Sequence, residues 1–362
     1  MSPSIASRSA VVALSGGVDS AVAASILVER GYDVIAITLR LRVEQPWGPV
    51  PTPDAVDRAR RVSDQLSIPF RLIGAEEAFQ REVVDPFIAE YAAGRTPNPC
   101  VRCNRFVRFG LLMERALAMG AQALATGHYA RVRESGGRYQ LLRGQDPGKD
   151  QSYFLYRLTQ DQLAHALFPL GALKKEAVRD IARQHSLPLA ERAESQDICF
   201  LADEDYRRFL AEQAPHVLHP GAIRDTAGRV VGQHQGLAAY TIGQRKGLGI
   251  SAPEPLYVLS IRPEENVLIV GTAGELGQDA CLVEAMHTVS GEPPLRSFRA
   301  QAEIRHRARP AAVIVHPLPG GRARVAFDTS QRDITPGQSL VLYDGDVVLG
   351  GGIICEAQSS VL

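Results

Sequence analysis

The chain of 362 residues has no net charge, 40 Lys and Arg against 40 Asp and Glu. Nothing global advertises a nucleic-acid partner, so any such site must be a local patch. No apolar run approaches membrane-spanning length, and Met1 to Arg8 lacks the apolar stretch of a secretion signal. That reading predicts a cytoplasmic protein with no membrane partner. Cysteine is sparse and odd in number, at five, which excludes a disulfide-stapled scaffold and points to catalytic or metal-binding thiols. A second C-x-x-C pair is also missing, so Cys100 and Cys103 do not complete the four-ligand set of a structural zinc. No lysine follows the N-terminal glycines, which excludes the common lysine-bearing P-loop. Internal repeats and low-complexity tracts are absent too.

What is there begins with Ser15-Gly16-Gly17-Val18-Asp19-Ser20. The apolar run Ala10–Leu14 before it reads as a buried strand, and Ala21–Arg30 after it as a helix stopped by Gly31. Glycines at a strand-to-helix turn let a ligand approach bare backbone. The helix start adds N–H groups and the positive end of its dipole, and the serines add hydroxyls, which together suit a phosphate. The motif resembles the pyrophosphate loop of the N-type ATP pyrophosphatases (PP-loop superfamily), which implies ATP cleavage between the α and β phosphates.

Asp33–Leu39 and Ile68–Ile73 read as further buried strands, with helices over Asp54–Leu66 and Ala75–Ala93. Strand, helix, strand in sequence predicts a doubly wound α/β parallel sheet. Gly94–Asn104 carries two prolines, which predicts a helix-free loop, with Asn104 capping the helix that follows. Arg105 and Arg108 share one face of that helix. Ala121–Thr126 is a strand ending in Gly127-His128-Tyr129, beyond its carboxyl end, where ligands sit in such sheets. Arg131–Arg143 reads as a hairpin. Beyond a helix over Asp203–Glu212 the chain turns to short strands and glycines, as in a small β-barrel. The expected units are a catalytic domain at 1–202, a central β-rich domain at 203–276 and a C-terminal barrel at 277–362.

Cys103 lies among arginines, and a thiolate near Arg102 and Arg105 would have a depressed pKa and be reactive. Cys199, in a polar Glu-Ser-Gln-Asp context, is a candidate partner, whereas Cys281 and Cys355 lie in strand-like runs and read as structural.

Ser15–Ser20, Gly94–Asn104, Ala125–Tyr129, Lys149–Tyr153, Glu194–Cys199, Tyr240–Leu248, Thr335–Gln338 and Gly350–Ile354 follow one another in order. Together they resemble the bacterial tRNA-specific 2-thiouridylases, the MnmA family. That resemblance implies ATP-dependent 2-thiolation of the wobble uridine in tRNAs for lysine, glutamate and glutamine. It implies a persulfide on Cys199, received from a sulfur-relay protein or cysteine desulfurase, and attack by Cys103 that leaves a Cys103–Cys199 disulfide. It implies ATP contacts at Ala13, Leu14, Ser15, Gly16, Gly17, Val18, Asp19, Ser20, Leu39 and Gly127, with Mg²⁺ accompanying the nucleotide. The target base falls to Asn98, Pro99 and Cys100. Contacts to tRNA fall to His128, Lys149, Asp150, Gln151, Arg305, His306 and Gln338. The family's usual aspartate is replaced by Cys100, which leaves two routes open: Cys100 as an acid or base, or Cys100, Cys103 and Cys199 as ligands of a [4Fe-4S] cluster. A different adenylating enzyme with a small-molecule substrate is the alternative reading, and it has no use for the paired cysteines.

Overall fold

The computed structural model describes residues 8–41, 51–187, 198–201 and 206–358. The predicted motif residues Glu194 to Asp197 lie outside that set.

The first sheet is parallel, in the order β3-β2-β1-β4-β7. Its strands are β1 (Ser9–Ala13), β2 (Asp33–Arg40), β3 (Phe70–Gly74), β4 (Ala123–Ala125) and β7 (Ala166–Leu167). Residues of β1 alternate between two cores, as a strand period of two requires. Ala10 and Val12 pack towards α1 (Val18–Glu29), α2 (Pro53–Gln65) and the helix Lys175–Gln184. Val11 packs with Val101, Phe109, Leu112 and Met113 on the opposite face. Helices thus cover both faces, the doubly wound arrangement. The chain runs outward through β2 and β3 before crossing back to β4, so the crevice between the β1 and β4 ends is the switch point where such sheets bind ligands.

Residues 99–118 form one helical run, not a loop followed by a capped helix. Pro99 sits at its first position, where a missing N–H costs nothing, and Asn98 precedes it. Asn104 therefore lies inside the helix, and its side chain donates to the Phe154 carbonyl (3.3 Å). From Cys103 to Leu112 the turns widen to i→i+5 bonding, a distortion frequent at functional sites.

A second sheet, β10-β11-β8-β9, covers the central stretch with β8 (Gly221–Asp225), β9 (Val230–His234), β10 (Tyr257–Arg262) and β11 (Val267–Gly271). The third closes on itself. Its six strands are β12 (Gln278–Thr288), β13 (Phe298–Glu303), β14 (Ala311–Leu318), β15 (Arg322–Gln331), β16 (Ser339–Asp344) and β17 (Val347–Gln358), and β12 pairs with β17. Closure removes sheet edges that would otherwise invite other chains. The hairpin β5 (Ala130–Ser135) and β6 (Arg138–Arg143) joins this barrel sheet through Leu142 and Val347 rather than the nucleotide-side sheet. Arg131 fastens it to Asp346 (2.7 Å). Among the described residues no helix is long and apolar enough to cross a membrane.

Candidate active site

The turn after β1 is built by local bonds. The Ser15 amide donates to Ser20 Oγ (3.1 Å), and Ser20 Oγ reaches the Gly17 carbonyl (3.0 Å). Thr38 Oγ1 on β2 donates to the Leu14 carbonyl (2.6 Å) and fixes where the turn begins. Gly16 holds φ +75°, and a Cβ there would stand 2.3 Å from the Ala55 carbonyl oxygen of α2. Arg58, one turn along α2, donates to the Gly16 carbonyl (3.1 Å). No side chain caps α1 at Gly17, so the first-turn N–H groups are left to the crevice. Across it, a Cβ on Gly127 would come within 2.8 Å of Asp19 and Ser20 backbone. Glycine is required at both positions by close packing, and the cradle so formed fits a polyphosphate. Leu39 is half-buried one residue before the end of β2.

Asp19 carries two partners that sequence spacing did not reveal. Lys175 Nζ lies 2.6 Å from Asp19 Oδ1, and Tyr129 Oη donates to the same oxygen (2.9 Å). The lysine side chain is only 8% exposed, against 30% for Asp19. Truncating one member of a largely buried pair strands the other charge. Lys175→Met is therefore expected to lower stability by about 2 kcal/mol, scaled down from a fully buried pair because Asp19 keeps solvent contact. The double variant with Asp19→Asn should lose less than the sum of the singles, read by denaturant unfolding.

The second half of the site is sulfur. All five cysteines are reduced, Cys103 buried, Cys100 half-buried and Cys199 exposed. Cys103 and Cys100 sit in the first turns of the 99–118 helix. Phe200 anchors Cys199 from the other side of the fold: its ring meets Phe79 (5.7 Å), Phe87 (5.2 Å) and Phe209 (5.5 Å) edge-on. The three sulfurs are near enough that each of Cys100 and Cys103 feels the charge of Cys199.

The expectation of acidic thiols is overturned. Burial pushes Cys103 up to about 12 and Cys100 up to about 11. The reason lies in where the arginines point. Arg102 Nε donates to the Glu82 carbonyl (2.6 Å), and Arg105 donates to the Arg157 carbonyl, so neither offsets desolvation at the sulfurs. Arg108 is the cation that does act on all three, and the sequence reading gave it no role beyond a helix face. Among the described residues no group of three His, Cys, Asp or Glu side chains is placed to hold a metal ion. As arranged, the three cysteines do not fit a cluster.

His128 is buried, 6% exposed, between the two halves. Arg108 Nη1 donates to its Nε2 (3.3 Å), so the ring proton sits on Nδ1 and goes to Thr126 Oγ1 (2.7 Å). Burial first, then Arg108, holds its pKa down to about 3. Below about pH 6.5 the unfolded chain takes up a proton there that the folded chain refuses, so this stability is present at neutral pH and lost as pH falls towards 3. His128→Asn is expected to flatten that part of the acid limb in a pH series of urea melts.

The remaining candidates for RNA contact divide. Asp150 accepts from the Gly144 amide (2.8 Å) and the Ser152 hydroxyl (2.9 Å) and pairs with Arg143 (3.1 Å). Gln151 accepts from the Tyr129 amide (3.1 Å). Gln338 donates to the Thr96 carbonyl (2.9 Å), fastening the barrel to the loop ahead of Pro99. His306 packs on Phe154 at 4.3 Å, and burial lowers its pKa. These side chains spend their polar atoms inside the protein. Asn98 is half-buried and Pro99 buried, while the Tyr153 hydroxyl donates to the Ser339 carbonyl (2.7 Å). Lys149 is half-buried, whereas Arg305 stays 56% exposed, 3.6 Å from Asp333. Arg305, Lys246, Arg207 and Thr241 line a cavity of about 730 Å³ between barrel, central sheet and the helix Tyr206–Gln213. Thr96 donates to Thr241 (3.4 Å), which links that cavity to the cysteine segment.

Comparison with known proteins finds relatives along most of the chain. Residues 8–203 match the family described as tRNA methyl transferase HUP domain, 207–272 its PRC-barrel domain and 278–354 an aminomethyltransferase beta-barrel domain. A tRNA-specific 2-thiouridylase MnmA of Moorella thermoacetica is 50% identical over 352 residues, 95% of this chain and 98% of the relative. The chain belongs to the tRNA-specific 2-thiouridylase (MnmA) family. The same named protein of Magnetococcus marinus is 49% identical, covering 95% of this chain and 98% of its own. Among solved structures, the U34-tRNA thiolase NcsA of Methanococcus maripaludis with its [4Fe-4S] cluster shares 18% identity over 57% of this chain and 67% of that one, TM-score 0.35. In this MnmA-family chain the PP-loop crevice and the sulfur site are joined by the Arg108–His128 bond, since His128 follows Gly127 directly.

Proposed function

We propose that this cytoplasmic protein uses ATP with Mg²⁺ to replace the C2 oxygen of the wobble uridine in tRNAs for lysine, glutamate and glutamine by sulfur. One observation supports the reading: the glycine-built phosphate cradle ends at Gly127, and the next residue, His128, bonds Arg108 on the helix that carries Cys100 and Cys103.

The uridine O2 attacks the α-phosphorus of ATP in the crevice. The bond to pyrophosphate breaks, and the charge on the departing group is met by α1 and the loop amides. Adenylation makes O2 a leaving group. A persulfide on Cys199, loaded by a sulfur-relay protein or cysteine desulfurase, attacks C2 with its outer sulfur, and AMP leaves. The Cys103 thiolate then attacks Sγ of Cys199; the old S–S bond breaks, its electron pair stays on the sulfur now on the uridine, and a Cys103–Cys199 disulfide remains. A thiol reductant restores both cysteines. Exposed Cys199 suits an exchange with a partner, and buried Cys103 suits an attack shielded from competing oxidants. Arg305 and Lys246, on the cavity that Thr241 joins to the cysteine segment, would meet tRNA phosphates. Cys100 replaces the usual aspartate as a proton carrier beside the base, a use that its raised pKa favours in the protonated form.

Pyrophosphate release measured with and without tRNA tests the reading. Stimulation by a tRNA with an unmodified wobble uridine, and not by small amides or acids, is expected. Release driven by a small molecule with tRNA inert would assign the chain to another adenylating chemistry.

A further inference from the structure

Residues 94–98 lead into the helix that begins at Pro99 and carries Cys100 and Cys103. Pro97 and Pro99 lack N–H groups, so the stretch has few donors with which to fix its own shape. No side-chain bond caps the helix at Asn98 either. The hold on this stretch comes from distant parts of the chain. On the central side, a Cβ on Gly94 would stand 2.9 Å from Ile261 Cγ2 on β10 and 2.8 Å from Pro263 Cγ just past it. On the barrel side, the Thr96 amide donates to the Pro336 carbonyl (2.8 Å). A Cβ on Gly337 would stand 2.7 Å from that same amide nitrogen, and Gly337 takes φ +92°, so the approach is open to glycine alone.

Gln338 closes the grip. Its Nε2 donates to the Thr96 carbonyl (2.9 Å) and reaches the Pro97 carbonyl (3.4 Å), the two residues ahead of Asn98. Both neighbours are acceptors, so the amide presents its NH2 group to them. What remains is Oε1, an acceptor with nothing to offer a phosphate oxygen. The base from which Gln338 reaches is itself tied down. The Gly337 amide donates to the Ile354 carbonyl (2.8 Å) and the Ile354 amide to the Gln338 carbonyl (2.9 Å), which binds the turn to β17. The next residue, Ser339, is fully buried, and its carbonyl accepts from the Tyr153 hydroxyl (2.7 Å).

We propose that Gln338 is a positioning residue for thiolation: it acts through the Thr96 and Pro97 carbonyls to set Asn98 and Pro99 for the target base, rather than by touching tRNA. The barrel then contributes to reaction geometry and not to RNA affinity alone. The use of this hold in catalysis rests on the thiolation reading; the hold itself does not.

The test is single-turnover 2-thiouridine formation by the full-length protein at saturating tRNA, with tRNA affinity measured separately by filter binding. Gln338→Ala should slow the saturated reaction about tenfold, as misplaced reacting groups do, and leave tRNA affinity unchanged. Gln338→Glu keeps the shape but turns an acceptor towards two carbonyls; it should lose at least as much, and it gives the same reading should alanine fail to fold. Gln338→Lys restores a donor and should recover most of the rate with no gain in affinity. Amide hydrogen exchange over residues 95–98 should quicken in Gln338→Ala. A loss confined to tRNA affinity, with the saturated rate intact, would overturn the proposal and return Gln338 to the RNA surface. Tighter tRNA binding by the lysine variant with no recovery of rate would do the same. A wild-type protein that makes no 2-thiouridine would overturn the thiolation reading instead; exchange then still decides the hold, which an unchanged rate of exchange in Gln338→Ala would refute.

Discussion

Cys199→Ser is expected to lower 2-thiouridine formation by at least about a hundredfold while leaving ATP and tRNA binding in place. Serine matches cysteine closely in volume and cannot carry a persulfide. Cys199 is exposed, and its anchor is the neighbouring Phe200, fully buried among Phe79, Phe87 and Phe209, so the fold does not depend on the sulfur. Cys103→Ser should lose turnover to a similar degree for a different reason. Without the second thiol the outer sulfur has no internal partner to complete its release, and a Cys199-linked adduct to tRNA should accumulate. That adduct, reversible by dithiothreitol and visible on a non-reducing gel, separates the two roles. If both variants stop at the same point with no adduct, the assigned order of attack is wrong.

Gly16→Ala is the second large effect. The left-handed φ of +75° penalises any L side chain, and the new methyl would stand 2.3 Å from the Ala55 carbonyl oxygen, closer than any real contact. Strain of this kind costs about 1–3 kcal/mol before any clash with the neighbouring helix. Relief would require α2 to withdraw, which breaks the Arg58 bond to the Gly16 carbonyl and opens the cradle. ATP binding by calorimetry should fall by at least about tenfold, which corresponds to 1.4 kcal/mol. Gly31→Ala is the control. It has a similar φ of +74° with nothing within 4 Å, so it should cost stability without touching nucleotide affinity.

The parts of the site legible in the sequence are those made by local chemistry. Ser15 to Ser20 declares itself because strand, glycine turn and helix are contiguous, and the structure sets Gly127 against it as the switch-point rule requires. The barrel was legible from short strands and turn residues. What was not legible depended on direction. Arg102, Arg105 and Arg108 are equivalent as letters, yet two of them bond distant carbonyls and the third bonds His128, so burial outweighs them and Cys103 is raised instead of acidic. Lys175 meets Asp19 across 156 positions, with no spacing rule to announce it. Proline breaks a helix in its middle, which is why the sequence around Pro99 predicts a loop; at the first turn it does no harm, and Asn104 is a helix residue instead of a cap. The hairpin Arg131–Arg143 was visible, but its attachment to β17 rests on a pairing more than 200 positions away.

The account stands most directly on the joining of the two half-sites in one turnover. The decisive measurement is a single-turnover reaction of wild-type protein, preloaded with a ³⁵S-labelled persulfide, with ATP and a tRNA carrying an unmodified wobble uridine. The account predicts stoichiometric transfer of label from Cys199 to the uridine, with AMP, pyrophosphate and a Cys103–Cys199 disulfide appearing together. Label that stays on the protein while AMP and pyrophosphate are released, or label that reaches tRNA with Cys103 and Cys199 still reduced, would contradict it.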